Sequence, residues 1–127
     1  MFRLAILLGA GNAVLAIILG AFAAHALQNT LSERMLAVFN TAVDYHLYHA
    51  LGLIVLSLLI KQRPISKALK TAVYLMSFGI IVFCGSLYAL SLSGILKLGM
   101  ITPFGGVAFI IAWFLVLIAF IKQEPQV

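Results

Sequence analysis

The chain has 127 residues, of which 65% are hydrophobic and only 9% charged, with a formal net charge of +5. A water-soluble domain carries about 25% charged and about 45 to 50% apolar residues, so a soluble fold is excluded. Four membrane spans of about 20 residues each use most of this length, which predicts a single transmembrane domain over residues 1–127 and no appended soluble module.

The positive charge is not a nucleic-acid signal. Arg3, Lys61, Arg63, Lys67, Lys70 and Lys122 all flank apolar stretches, where cations orient spans. The first predicted span covers residues 4–24. Arg3 ahead of it and Ala24-His25-Ala26 behind it imitate a cleavable secretion signal. The apolar stretch, however, exceeds the roughly 7 to 15 residues of such signals and leads into further spans. Gly9, Gly11, Ala13, Ala16 and Gly20 mark a packing helix, because small residues let a neighbour approach closely where lipid supplies no hydrophobic drive. Asn12 lies inside this span and needs a partner on another helix. From His25 to Ser32 the chain turns outside the apolar core, and Thr30 followed by Glu33 fits a capping box that predicts a helix start at Leu31.

The second predicted span, residues 36–60, holds the densest polar stretch of the chain: Thr41, Asp44, Tyr45, His46, Tyr48 and His49. Asp44 opposes insertion by about 2.5 to 3.5 kcal/mol, and the thirteen Leu, Ile, Val and Phe of the span each return at most about 0.3 to 0.6. The span still inserts, and an ionisable group at membrane depth marks a candidate site. At about 100° per residue, Asn40, Thr41, Asp44, Tyr45, Tyr48 and Gly52 share an arc of about 140°, with His49 about 40° beyond it and His46 pointing away. This reading predicts that His49 bears on helix assembly more than His46. It also predicts that Asp44 and His49, which are not stacked, find partners on other helices.

Residues 61–67 form a short connection broken by Pro64, so the flanking helices are antiparallel neighbours. The third predicted span, residues 68–92, contains Cys84, Gly85, Ser86 and Tyr88 and ends at Ser91, Ser93 and Gly94. Cys84 is the only cysteine, which precludes a disulfide within the chain. Thr102 as cap and Pro103 as first helical residue predict the start of a fourth span, residues 103–121. Gly105-Gly106 lacks the remaining glycines and the lysine of a phosphate loop and reads as a close-packing contact.

Six cations would lie on the side of the termini, against Arg34 and Lys97 on the other. The positive-inside rule therefore predicts both termini in the cytoplasm and an all-α, antiparallel up-down four-helix transmembrane bundle. With that orientation His25, Asp44, Tyr45, Ser86, Tyr88, Thr102 and Gly105 fall toward the outer half of the membrane, and His49 falls near its middle. Lipid offers them no hydrogen bonds, so they are expected to gather in one buried polar site. The helix start at Pro103 would aim free amides at the same level.

Four blocks then become recognisable: GAFAAHAL at 20–27, TAVDYHLYHAL at 41–51, FCGSLYAL at 83–90 and ITPFGGVAFIIAW at 101–113. In this order and spacing, and over nearly the whole chain, the sequence resembles the small four-helix integral membrane family of bacteria typified by YgdD and YwdK, a domain of unknown function. The resemblance maps the family pattern onto Gly20, Phe22, His25, Ala26, Thr41, Tyr45, His49, Gly85, Ser86, Leu87, Tyr88, Thr102, Pro103, Gly105, Gly106 and Trp113. Ala23, Cys84 and His46 stand where the family often has glycine, serine and glutamine. What the resemblance implies is a multi-pass protein of the bacterial inner membrane, with no enzymatic activity attached.

Three function classes follow. A structural or accessory membrane protein requires nothing beyond the residues seen, with membrane lipids as partners and homo-oligomers or other membrane proteins as open alternatives. A proton-coupled or lipid carrier would use Asp44 or His49 as its coupling group. A redox protein would use His25 and His49 as axial haem ligands, but the sequence puts these two at different depths. No catalytic residue, metal site, cofactor or nucleic-acid partner is expected.

Overall fold

Residues 1–121 are described by the computed structural model; Lys122, one of the six cations used for orientation, lies outside them. Four helices, α1 (Phe2–Leu27), α2 (Glu33–Gln62), α3 (Lys67–Ser93) and α4 (Leu96–Ile121), are each long and apolar enough to cross a membrane. The described residues contain no strand. Four membrane-length helices are present, as the composition predicts; α3 exceeds the expected stretch by one residue at each end and α4 begins seven residues earlier.

Local chemistry sets the ends. Ser32 caps α2, its hydroxyl accepting from the Met35 amide at 3.2 Å. Ser66 caps α3 in the same way through the Leu69 amide at 3.3 Å. The cap of α2 therefore lies two residues beyond the predicted Thr30. Leu31 N–H is already taken by the Leu27 carbonyl at 3.0 Å, and the Thr30 hydroxyl turns back to the Ala26 and Leu27 carbonyls, so Thr30 belongs to the exit of α1. The last turn of α1, Ala23–Leu27, is π-helical, as is Ile80–Cys84 in the middle of α3. Gly94 ends α3 in the left-handed conformation at φ 73°, where a side chain would be strained.

The start of α4 also differs from the expected Thr102 cap. A 3₁₀ turn, Leu96–Met100, runs into the helix, and the Ile101 and Phe104 amides bond to Leu98 and Ile101 carbonyls. The α-helix proper begins at Thr102, so Thr102 is its first residue and Ile101, whose carbonyl accepts from the Phe104 amide, takes the cap position.

Helix α1 lies along α2, and α4 lies along α3, so α2 and α3 form the middle of the assembly. The central core joins Leu53 and Leu56 of α2 with Leu69, Val73 and Met76 of α3 and Phe109 and Ala112 of α4. A smaller cluster, Ala23, Leu27 and Phe39, closes the end where α1 meets α2. Two glycines allow the closest approaches. A methyl on Gly9 would stand 2.9 Å from the Ala50 carbonyl and the Ile54 amide. One on Gly105 would stand 2.8 Å from Phe83 Cα and closer still to its amide nitrogen. In lipid, such backbone proximity replaces the hydrophobic drive that packs helices in water.

The α2–α3 connection is tied to the adjoining helix ends. Lys61 Nζ sits 5.7 Å from the Phe2 ring centre. Arg63 Nη1 donates to the Ala119 carbonyl at 2.7 Å, with its guanidinium 4.2 Å from the Phe120 ring centre. A cation on a C-terminal carbonyl of α4 also complements the helix dipole. These contacts gather the start of α1, the end of α2 and the end of α4 at one end, as an up-down bundle requires.

Gly105→Ala is expected to destabilise the protein by about 1 to 3 kcal/mol, since the backbone of Phe83 cannot yield. A methyl on Gly11 meets nothing within 4 Å, so Gly11→Ala should leave stability unchanged or raise it by less than about 1 kcal/mol. Thermal unfolding in detergent measures both.

Candidate functional site

The buried face of α2 is the stripe Phe39, Ala42, His46, His49, Leu53, Leu56 and Ile60. Its alternating spacing of three and four is that of a seam packed against neighbouring helices. Asn40, Thr41, Asp44, Tyr45 and Tyr48 lie on the exposed face instead, followed along the helix by exposed Leu51, Val55 and Leu58. The expectation from the angular reading is therefore reversed for His46. Its arc of polar neighbours points outward, and His46 is buried to 2% exposure.

His46 joins three helices. Its Nε2 lies 2.9 Å from Asn12 Oδ1 on α1 and its Nδ1 lies 3.0 Å from the Tyr88 hydroxyl on α3. Asn12 spends an amide proton on the Leu8 carbonyl at 2.8 Å, which leaves Oδ1, an acceptor only, facing His46. The neutral imidazole therefore carries its proton on Nε2 and accepts at Nδ1 from Tyr88. Tyr88 in turn packs its ring on Phe39, centroids 4.9 Å apart.

A second polar contact joins α3 to α4. Ser86 Oγ donates to the Phe83 carbonyl at 3.0 Å, so the 2.6 Å contact with Thr102 is a bond from the Thr102 hydroxyl to Ser86. Thr102 is thus an interhelical donor in place of the cap expected from sequence.

His49 belongs to neither pair. Its Nδ1–H donates within α2 to the Tyr45 carbonyl at 2.7 Å. Its ring lies nearly parallel to Phe109 of α4, centroids 3.5 Å apart at 10°. Phe109 reaches this place because its ring lies over Gly79, where a methyl would meet it at 2.5 Å. Tyr45 packs on Phe83 at 4.7 Å between centroids, and Trp113 stands 6.2 Å from His49. Together these rings line a groove of about 590 Å³ between α2 and α4.

The eight candidates read from sequence therefore do not form one site. Tyr88 enters the Asn12–His46–Tyr88 chain. Ser86 and Thr102 pair with each other next to the tight contact of Gly105 with Phe83. Tyr45 and His49 line the groove. His25 is exposed on the last turn of α1, and Asp44 is exposed on α2. Gly9 opposite Ala50 and Ile54, and Gly20 opposite Val43, set the register of α1 on α2. By that register His25 stands roughly 15 to 20 Å along the axis from the level of His49, so the proposed axial pair is not brought together. Among the described residues no three of His, Cys, Asp and Glu come together as metal ligands.

Sequence reading missed His46, Phe83 and Phe109. The three-and-four spacing of the α2 stripe could have found His46; nothing local marks the two phenylalanines.

Residues 19–106 match the family described as Protein of unknown function (DUF423). The chain belongs to the DUF423 family. Among curated relatives, this DUF423 protein is 50% identical over 117 residues to the UPF0382 membrane protein YwdK of Bacillus subtilis, a match covering 92% of this chain and 95% of the relative. It is 44% identical over 117 residues to a UPF0382 membrane protein of Staphylococcus epidermidis, covering 92% and 94%. A UPF0382 membrane protein of Staphylococcus haemolyticus is 39% identical over 120 residues, covering 94% and 97%. No solved structure matches the chain. Like these relatives, it is a membrane protein.

His46→Leu is expected to lower stability by about 1 to 3 kcal/mol, because it strands the Asn12 carbonyl oxygen and the Tyr88 hydroxyl. His49→Leu strands only a carbonyl already bonded within the helix and should cost less. Chemical unfolding of both variants in detergent tests the order, and Asn12→Leu combined with His46→Leu should recover part of the loss.

Proposed function

We propose that this DUF423 protein is a non-enzymatic accessory protein of the bacterial cytoplasmic membrane, whose interior polar side chains hold four helices in register and whose working surface is turned to lipid. The observation that carries this reading is the mutual pairing of the interior polar groups. No fully buried side-chain nitrogen or oxygen among the described residues lacks a partner, and His49, bonded only through Nδ1, lies at the wall of a groove that opens to the side of the bundle. A carrier needs groups inside the bundle free to exchange partners with its cargo; of the two candidate coupling groups, Asp44 stands on the exposed face of α2 and His49 lines a groove open at the side of the bundle. Membrane lipids are the partners this surface suits.

The orientation belongs to the same proposal. Arg3, Lys61, Arg63, Lys67 and Lys70 occur at one end of the bundle and Arg34 and Lys97 at the other, which favours both termini and the α2–α3 connection in the cytoplasm. Export-dependent reporters fused at Pro64 are expected to be inactive and those fused at Gly94 active; the reverse pattern overturns the orientation.

The accessory reading is tested by reconstitution. Liposomes containing the protein should leak protons across an imposed gradient no faster than empty ones. A faster flux, abolished by Asp44→Asn, would establish the carrier instead.

A further inference from the structure

We infer that the groove between α2 and α4 binds a neutral, lipid-dissolved amphiphile with a flat hydroxyl-bearing ring, a hydroquinone or phenol on an apolar tail, whose hydroxyl donates to Nε2 of His49. His49 is 6% exposed, and its Nδ1–H is committed to the Tyr45 carbonyl. The neutral ring must then carry a lone pair on Nε2. That nitrogen has no partner among the described residues, yet no fully buried side-chain polar atom in that set is unpaired. Nε2 is therefore reachable, and the groove that His49 lines is where it is reached.

The rest of the lining sets the kind of ligand. The groove has no charged residue, so it offers nothing to an ionic headgroup. Its walls include Tyr45, Phe83, Phe109 and Trp113, faces on which a flat ring stacks in offset or edge contact. A volume of about 590 Å³ lies within the range of about 300 to 1,000 Å³ of small-molecule sites, which are mostly apolar with a few placed polar groups. Ile110 and Phe114, 67% and 60% exposed, stand at its open side, so an apolar tail leaves laterally among lipid chains. The ligand adds to the accessory reading and involves no transport. A proton flux would overturn that reading and leave a binding curve intact; absent binding would leave the flux result as it stands.

Trp113 is the only tryptophan of the chain and lines the groove, so its fluorescence reads occupancy directly. The protein in nanodiscs is titrated under argon with a short-tailed prenyl hydroquinone and with the dimethyl ether of the same compound. Saturable quenching by the hydroquinone is expected, with the ether about tenfold weaker because it cannot donate. His49→Phe keeps a ring on Phe109 and removes the acceptor; it should weaken the hydroquinone by about the same factor and leave the ether unchanged. If that variant fails to fold, the contrast between the two probes on the unaltered protein decides. Linear quenching that is equal for both probes overturns the proposal. So does a hydroquinone affinity unaffected by a folded His49→Phe protein, or equal displacement by a long-chain alcohol.

Discussion

Hydrogen-bond supply is the constraint on which this fold depends. A polar side chain inside a bilayer has only other protein groups to bond to, and leaving one unmet costs several kcal/mol. The chain answers with two short interhelical links. Asn12, His46 and Tyr88 join α1, α2 and α3, and Ser86 with Thr102 joins α3 to α4. Such bonds contribute modestly when made, about 0.6 kcal/mol on average in membranes. Their effect on register is larger, because any slip of one helix along another separates the partners and leaves both unbonded.

Close backbone contacts make those links possible and also shape the groove. Gly105 brings α4 against the backbone of Phe83, which fixes Phe83 as one wall. Gly79 leaves room for the Phe109 ring, and that ring in turn supports the imidazole of His49. Substitution at either glycine would therefore act on the groove through packing, without touching a ligand. The π-helical segment Ile80–Cys84 spans this same contact, consistent with the tendency of such segments to occur where a helix must re-aim its side chains.

The outward polar face of α2 has its own explanation. Thirty helical residues extend about 45 Å, against a hydrocarbon core of about 30 Å. The first turns of α2 consequently stand at or beyond the boundary, with Tyr45 and Tyr48 near the level where amphipathic rings collect. Asp44 is exposed about 17 Å along the helix from its first residue, so a position close to that boundary would lower the cost that full membrane depth imposes.

Composition and run length alone determined that the chain crosses a membrane four times with short connections, because insertion depends on summed transfer energies that any segment carries by itself. Sequence also marked Asn12 as needing a partner on another helix, whereas the single polar site it expected from His25, Asp44, Tyr45, His49, Ser86, Tyr88, Thr102 and Gly105 is divided by the structure among separate contacts and the exposed surface. What only the tertiary structure decided was which face of α2 is inside and which partners meet. In water, a polar arc marks the outside of a helix; in a bilayer it can face the interior, the headgroups or a neighbour, so polarity no longer assigns the face. His46 is buried and Asp44 exposed because α1 and α3 press on the Phe39–Ile60 seam, and His49 faces an aromatic groove because α4 carries Phe109 to it. Those outcomes depend on pairs of residues far apart in the chain, and no local pattern in either partner contains them.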